Sequence, residues 1–122
     1  MATEADQVNV EATKYLNAGD AEGLLSMYED GALLLLEPTS TVEECQDLRS
    51  GVQTYLDMEG TITIEASSEL VVGDLALIHS RWRFEVPGEE PQVAVSAEVV
   101  RRQPDGTWKY VIDNPYAGDI LG

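Results

Sequence analysis

Two hydrophobic periods divide this chain. Within residues 3–18 the apolar positions Ala5, Val8, Ala12, Tyr15 and Leu16 fall at helical spacing and form one stripe of an amphipathic helix. Thr3 with Asp6 resembles a weak N-terminal capping pair, and Gly19 is a suitable stop. Asp20 then caps a second short helix, in which Leu24, Leu25 and Tyr28 share a face. The spacing predicts a helical hairpin about Asn17-Ala18-Gly19-Asp20. Residues 32–36 are apolar throughout and closed by Pro38, which fits a buried strand. Residues 39–50 are polar and read as irregular, with Thr41 and Glu44 spaced to cap one helical turn. Residues 51–59 read as a third short helix, with Val52, Tyr55, Leu56 and Met58 as its apolar positions.

From Thr61 onward the period is two. Residues 61–72, 74–86, 92–103 and 108–114 read as four successive strands. Their separators are turn chemistry: Gly73-Asp74, Pro87-Gly88 and Pro104-Asp105-Gly106. Strands joined so tightly pair antiparallel, and helices followed by a meander make an α+β layout. Along 74–86, Ala76, Ile78, Ser80, Trp82 and Phe84 share one side, against Leu77, His79, Arg81 and Arg83. Along 92–103, Val93, Val95, Ala97 and Val99 oppose Ala94, Ser96, Glu98 and Val100. Along 108–114, Trp108, Tyr110 and Ile112 oppose Lys109, Val111 and Asp113. Helices cover one face of such a sheet; a second apolar face calls for a partner, and a homodimer is the expected solution.

Composition narrows the function classes. The 122 residues, 43% hydrophobic and without a low-complexity tract, are expected to fold as a single domain, 1–122. Net charge is −16, from 23 acidic and 7 basic side chains, which counts against nucleic-acid and anionic-membrane partners. The N-terminal stretch lacks a basic n-region and an apolar h-region, and the longest leucine run, residues 33–36, is far too short to span a bilayer. A cytoplasmic protein is the expectation. Cys45 is the sole cysteine and stands among carboxylates that raise a thiol's pKa, so neither a disulfide nor a nucleophile is expected of it. His79 is the sole histidine, so no multi-histidine metal site is expected. With no Gly-rich phosphate loop, Ser-His-Asp order or paired-Cys motif, no cofactor is expected either.

Three strings carry a family resemblance. They are Asn17-Ala18-Gly19-Asp20 leading into Met27-Tyr28-Glu29-Asp30, then Arg49-Ser50-Gly51 at the third helix, then residues 101–110, RRQPDGTWKY, closing the sheet. In order and spacing they resemble the nuclear transport factor 2 superfamily, in its SnoaL-like and ketosteroid-isomerase-like branch, over nearly the whole chain. The resemblance implies a cystatin-like roll: a strongly curved, cone-shaped antiparallel sheet packed on three N-terminal helices around a pocket. It also implies a homodimer through the convex sheet face. It does not imply one function, because the superfamily holds isomerases, polyketide cyclases, dehydratases and association modules. A dimeric small-molecule-binding or association module is the first reading, and cofactor-free proton transfer on a small hydrophobic ligand is the alternative.

Candidate chemistry falls on a few side chains. Glu98 is a bare carboxylate in mid-strand among apolar neighbours. Counted back from the Asp105-Gly106 turn, it matches by resemblance the isomerase's proton-donating acid, a carboxyl kept neutral by its apolar site. Its bland alternative is an ion pair with Arg81 or Arg83 on the next strand. Glu37 precedes Pro38 where the isomerase has its general base, but one extra residue after Asp30 would turn it to the other face unless a bulge intervenes. Asp113 is the other candidate base; its face depends on the Pro104-Asp105-Gly106 turn, and one loop geometry sets Glu98 beside Ile112 instead. The isomerase's helix-1 tyrosine position falls on Ala12, with Tyr15 a turn later, so that oxyanion hole is not reproduced. Tyr15, Tyr28, Tyr55 and Ser96 are candidate ligand contacts or core residues. His79 and Arg81 either line the pocket, favouring an anionic or carbonyl ligand, or face water and relieve an acidic surface.

Overall fold

The structure, a computed structural model, describes residues 2–37 and 40–119. Pro38, expected to close the first strand, lies outside the described residues. A 3-10 turn at Ala5–Gln7 runs into helix α1, Val8–Ala18. Regular helix therefore begins at Val8 and not at residue 3. The Thr3–Asp6 cap does not form, because the Thr3 hydroxyl and N–H both donate to Gln7 Oε1, at 3.3 and 3.2 Å. Gly19 ends α1 in the left-handed conformation (φ 70°), with its N–H on Leu16 O, which a residue without Cβ adopts freely. Helix α2, Ala21–Leu25, is capped by Asp20, whose Oδ1 accepts from Gly23 N–H at 2.9 Å. Thr41 and Glu44 form a reciprocal capping box on α3, Val42–Cys45, as their spacing predicts. Helix α4, Leu48–Asp57, starts three residues before the expected point, because Asp47 caps it by accepting from Ser50 N–H at 3.1 Å.

Five strands follow the order β1-β5-β4-β3-β2 in one sheet. They are β1 (Tyr28–Leu34), β2 (Thr61–Val72), β3 (Leu75–Glu85), β4 (Gln92–Arg102) and β5 (Trp108–Asn114). The meander from β2 to β5 is antiparallel, as the turns predict. β1 pairs parallel to β5, so the sheet is mixed and not wholly antiparallel. Tyr28 belongs to this strand rather than to the second helix, pairing with Tyr110. The fold is α+β, with the helices against one sheet face.

A bulge decides which side chains look inward. Register slips between Val99 and Val100, so that Val100 opposes Tyr110, Val99 opposes Ile112 and Glu98 opposes Asp113. Val111 is the extra residue, and Tyr110 and Asp113 consequently face the same way. Strict alternation would have put them on opposite faces. The inner face packs Ala76, Ile78, Val100 and Tyr110 against Val8 of α1, Leu24 of α2 and Val52 of α4. Val8, Val52 and Val100 are completely buried. A second cluster, Trp82, Phe84 and Tyr116, closes the other end.

The outer face is apolar in part, and its large apolar side chains are partly exposed among the described residues. Register aligns Leu33, Ile112, Val99, Leu77 and Leu70 in a row across all five strands. Leu70 is 71% exposed and Leu77 and Ile112 more than a third. No helix among the described residues is long and apolar enough to cross a membrane.

Candidate functional site

Between α1 and the inner sheet face lies a cavity of about 100 Å³. The alternation of β4 turns Ser96 and Glu98 into it, and Glu98 is only 3% exposed. Glu98 does not pair with either candidate arginine. Arg83 reaches Glu85 on its own strand at 3.5 Å, and Arg81 lies on the outer face. The partner of Glu98 is Asn9, on the buried side of α1, whose Nδ2 donates to Glu98 Oε1 at 2.7 Å. The same amide donates to Ser80 Oγ at 3.0 Å, and its Oδ1 accepts from the Tyr110 hydroxyl at 2.5 Å. Both N–H donors of the Asn9 amide and one lone pair of its oxygen are thereby used.

The β5 bulge sets Asp113 directly across from Glu98 on the cavity side. Opposed residues on one face of an antiparallel pair hold their Cβ atoms ~5 Å apart. Tyr28 donates its hydroxyl to Asp113 Oδ2 at 2.5 Å. These bonds engage one oxygen of each carboxyl. Both carboxyls lie on the cavity wall, and among the described residues no fully buried side-chain nitrogen or oxygen lacks a partner.

Burial governs the electrostatics. It pushes the Glu98 carboxyl up to about 8, with the Asp113 charge adding to the rise and Asn9 and Ser96 opposing it. Burial also pushes Asp113 up, to about 6, against the pull of the Tyr28 hydroxyl. The two titrate as a pair, and near neutral pH they hold about one proton between them. Tyr28 and Tyr110 are driven well above the usual phenol range, first by burial and then by Asp113, so both stay neutral donors. Tyr55, raised likewise by burial, donates to Leu35 O at 2.8 Å.

Of the residues singled out in the sequence, Tyr28, Tyr55, Ser96, Glu98 and Asp113 meet at the cavity. Four others do not. Tyr15 packs on Gly23, where an added Cβ would run into the Tyr15 ring. His79 and Arg81 occupy the exposed phase of β3, because Ile78, Ser80 and Trp82 take the inward one. Glu37 is exposed beyond the end of β1, its backbone N–H donating to Ser40 Oγ at 3.2 Å. Cys45 is buried, and burial with nearby Glu44 raises its thiol further from reactivity.

Asn9 was missed by sequence reasoning, although a signal existed. With Ala12 and Leu16 it keeps helical spacing on the buried side of α1, and a polar residue on an apolar stripe asks for a buried partner. Trp82, Phe84, Tyr110 and Tyr116 also wall the cavity. Trp82 meets Tyr116 edge-on at 5.9 Å between ring centroids, and Trp82 Nε1 donates to Pro115 O at 2.8 Å. Among the described residues no lysine, arginine or histidine lines the cavity, and no acidic, histidine or cysteine cluster could hold a metal ion.

No protein-family model matches the chain, and no curated protein matches it by sequence. Solved structures do match. A candidate calcium/calmodulin-dependent protein kinase II association domain from Xanthomonas campestris superposes with a TM-score of 0.71 at 15% identity, over 89% of this chain and 81% of that one. A candidate ketosteroid isomerase from Shewanella frigidimarina gives 0.70 at 16% identity, over 88% and 89%. A candidate dehydratase of the nuclear transport factor 2-like family from Streptomyces avermitilis gives 0.70 at 20%, again over 88% and 89%. A protein with a cystatin-like fold from Nostoc punctiforme gives 0.68 at 18%, over 93% and 92%. The chain therefore has the nuclear transport factor 2-like, cystatin-like fold.

Proposed function

We propose that the chain is a small-molecule-binding domain whose ligand sits in the cavity against Glu98 and Asp113. The observation that carries this reading is a pair of buried carboxyls on the wall of an aromatic cavity where, among the described residues, no basic side chain neutralises them. Groups in such a setting are costly unless something meets them. Similarity to structures described as an isomerase, a dehydratase and an association domain agrees with a ligand-binding or enzymatic module. At about 100 Å³ the cavity falls well short of the ~300–1,000 Å³ that sites for drug-sized molecules occupy, so the ligand is small and a steroid does not fit. An NMR screen of fragments of roughly four to eight heavy atoms is expected to shift the Trp82 indole N–H and the cavity methyls saturably. A protein that no fragment perturbs would not have this function.

A second reading, proton transfer, draws on the unequal proton affinities of the two carboxyls: a neutral acid and an ionised base in one cavity. Glu98 would donate to a carbonyl oxygen while Asp113 takes a proton from the neighbouring carbon. The same screen run in D2O tests it, because bound cyclopentanone should lose its α-hydrogens faster than in buffer. Asp113→Asn should slow that exchange ~100-fold or more. Exchange at the buffer rate would leave binding alone.

The outer sheet face supports a homodimer. Its row from Leu33 to Leu70 is a continuous apolar stripe, and a second copy of the same face is the simplest self-complementary cover. Leu77→Glu should convert dimer to monomer in sedimentation at tens of micromolar, with the thermal midpoint of the monomer little changed because Leu77 is already 38% exposed. Wild-type protein sedimenting as a monomer would dispose of the dimer.

A further inference from the structure

We propose that the cavity selects a small organic monocation, an alkylammonium, with its charge against the Asp113 carboxyl and its carbon groups on the surrounding aromatic rings. This rests on the small-molecule reading above and assigns the ligand's chemical class. Three independent features of the site converge on it.

The first is charge. Among the described residues Glu98 and Asp113 are the only carboxyl side chains on the cavity wall, and no lysine, arginine or histidine joins them. The basic side chains that the sequence offered on β3, His79, Arg81 and Arg83, all project from the opposite face. With about one proton shared by the pair, the cavity wall carries about one net negative charge, which no lysine, arginine or histidine among the described residues offsets. An anion would meet like charge in a low-dielectric space. A neutral molecule would leave the buried charge uncompensated, and a monocation neutralises it.

The second is the wall. Tyr28 and Tyr110 pack at 4.8 Å between centroids, Trp82 and Tyr116 at 5.9 Å, and Phe84 and Tyr55 complete the surround. Aromatic faces attract alkylammonium groups, most strongly where water is excluded. The hydroxyls of Tyr28, Tyr55 and Tyr110 are already committed, to Asp113, Leu35 and Asn9, which leaves the ring surfaces as what these residues offer a ligand. The third is access. The chain's net charge of −16 concentrates cations about the whole surface and repels anions before they reach the site.

Three probes of nearly one shape and three charges test the proposal: tetramethylammonium, neopentyl alcohol and pivalate, each titrated into the wild-type protein and followed by NMR at the Trp82 indole N–H. Tetramethylammonium is expected to bind at least ~10-fold more tightly than neopentyl alcohol, and pivalate not to bind. Asp113→Asn should abolish the preference for the cation. Tyr116→Leu, which leaves both carboxyls in place, should weaken tetramethylammonium several-fold more than neopentyl alcohol and guards against a misfolded Asp113 variant. Equal or tighter binding of neopentyl alcohol or pivalate would overturn the charge assignment while leaving the small-molecule site standing. Binding by none of the three, in a protein that responds to no other fragment, would remove both.

Discussion

The protein should lose stability as the pH rises from about 5 to about 9, and Glu98→Gln should remove much of that loss. Glu98 is raised from an ordinary 4.5 to about 8 in the fold, burial being the main cause. The folded state thus holds a proton on Glu98 that the unfolded chain releases more readily. Below the ordinary value both states are protonated and folding is not penalised. Between the two values the unfolded chain ionises first, and the cost accumulates with each pH unit until the folded carboxyl also ionises. Each unit is worth about 1.4 kcal/mol, so the full penalty is on the order of a few kcal/mol. Asp113, raised to about 6, adds a loss of the same sign at the lower end of this range. The acidic surface adds general self-repulsion as its carboxyls ionise. Glutamine cannot ionise and can still accept from Asn9, and it leaves the rest of the surface unchanged, so comparing the two proteins isolates the Glu98 contribution. Urea unfolding at fixed ionic strength should give coincident stabilities near pH 5 and a more stable variant near pH 9. Parallel curves for the two proteins would mean that Glu98 is not the buried, proton-holding group the fold makes it.

The parts of this fold legible in the sequence are those written locally. Gly73-Asp74, Pro87-Gly88 and Pro104-Asp105-Gly106 each join neighbouring strands, so the meander from β2 to β5 follows from short-range chemistry. The parallel docking of β1 on β5 does not, because its partners lie about eighty residues away and no turn links them. The same distinction runs through the site. Glu98 stands out as a carboxylate within an apolar strand, and its inward aim follows from alternation with Ser96 and Val100. The side of Asp113 turns on one inserted residue, Val111, which alternation cannot register. For β3 the sequence separates His79 and Arg81 cleanly from Ile78 and Trp82, yet two faces of one strand carry no mark of which looks inward. The helices settle that, since Val8 and Leu24 pack where Ile78 is buried. Asn9 escapes a reading of hydrophobic period because such a reading counts apolar positions, and its importance lies in its being the polar one among them.

That residue yields the second large effect. Asn9→Ala should destabilise the protein by on the order of 2–4 kcal/mol, more than an exposed helix substitution could. Its amide meets Glu98, Ser80 and Tyr110 at once, drawing α1 onto β3, β4 and β5. Ser80 retains the Ser67 hydroxyl at 3.2 Å, but the Glu98 oxygen and the Tyr110 hydroxyl lose the partner recorded for each. Alanine also leaves a void in a buried position that the helix cannot close without moving. The loss reaches the carboxyl as well. Asn9 is the larger of the two hydrogen-bonding influences holding the Glu98 pKa down, so its removal should raise that value further and extend the pH range over which Glu98 stays neutral. A carbon-13 titration of the Glu98 carboxyl reads this directly, and a double-mutant cycle with Glu98→Gln should show coupling of roughly 1 kcal/mol or more near pH 9, where the wild-type carboxyl is charged. Near pH 6 the coupling should shrink, because a protonated Glu98 gains less from an amide donor. Equal coupling at both pH values would make Asn9 a packing residue only, with no hold on the charge of Glu98.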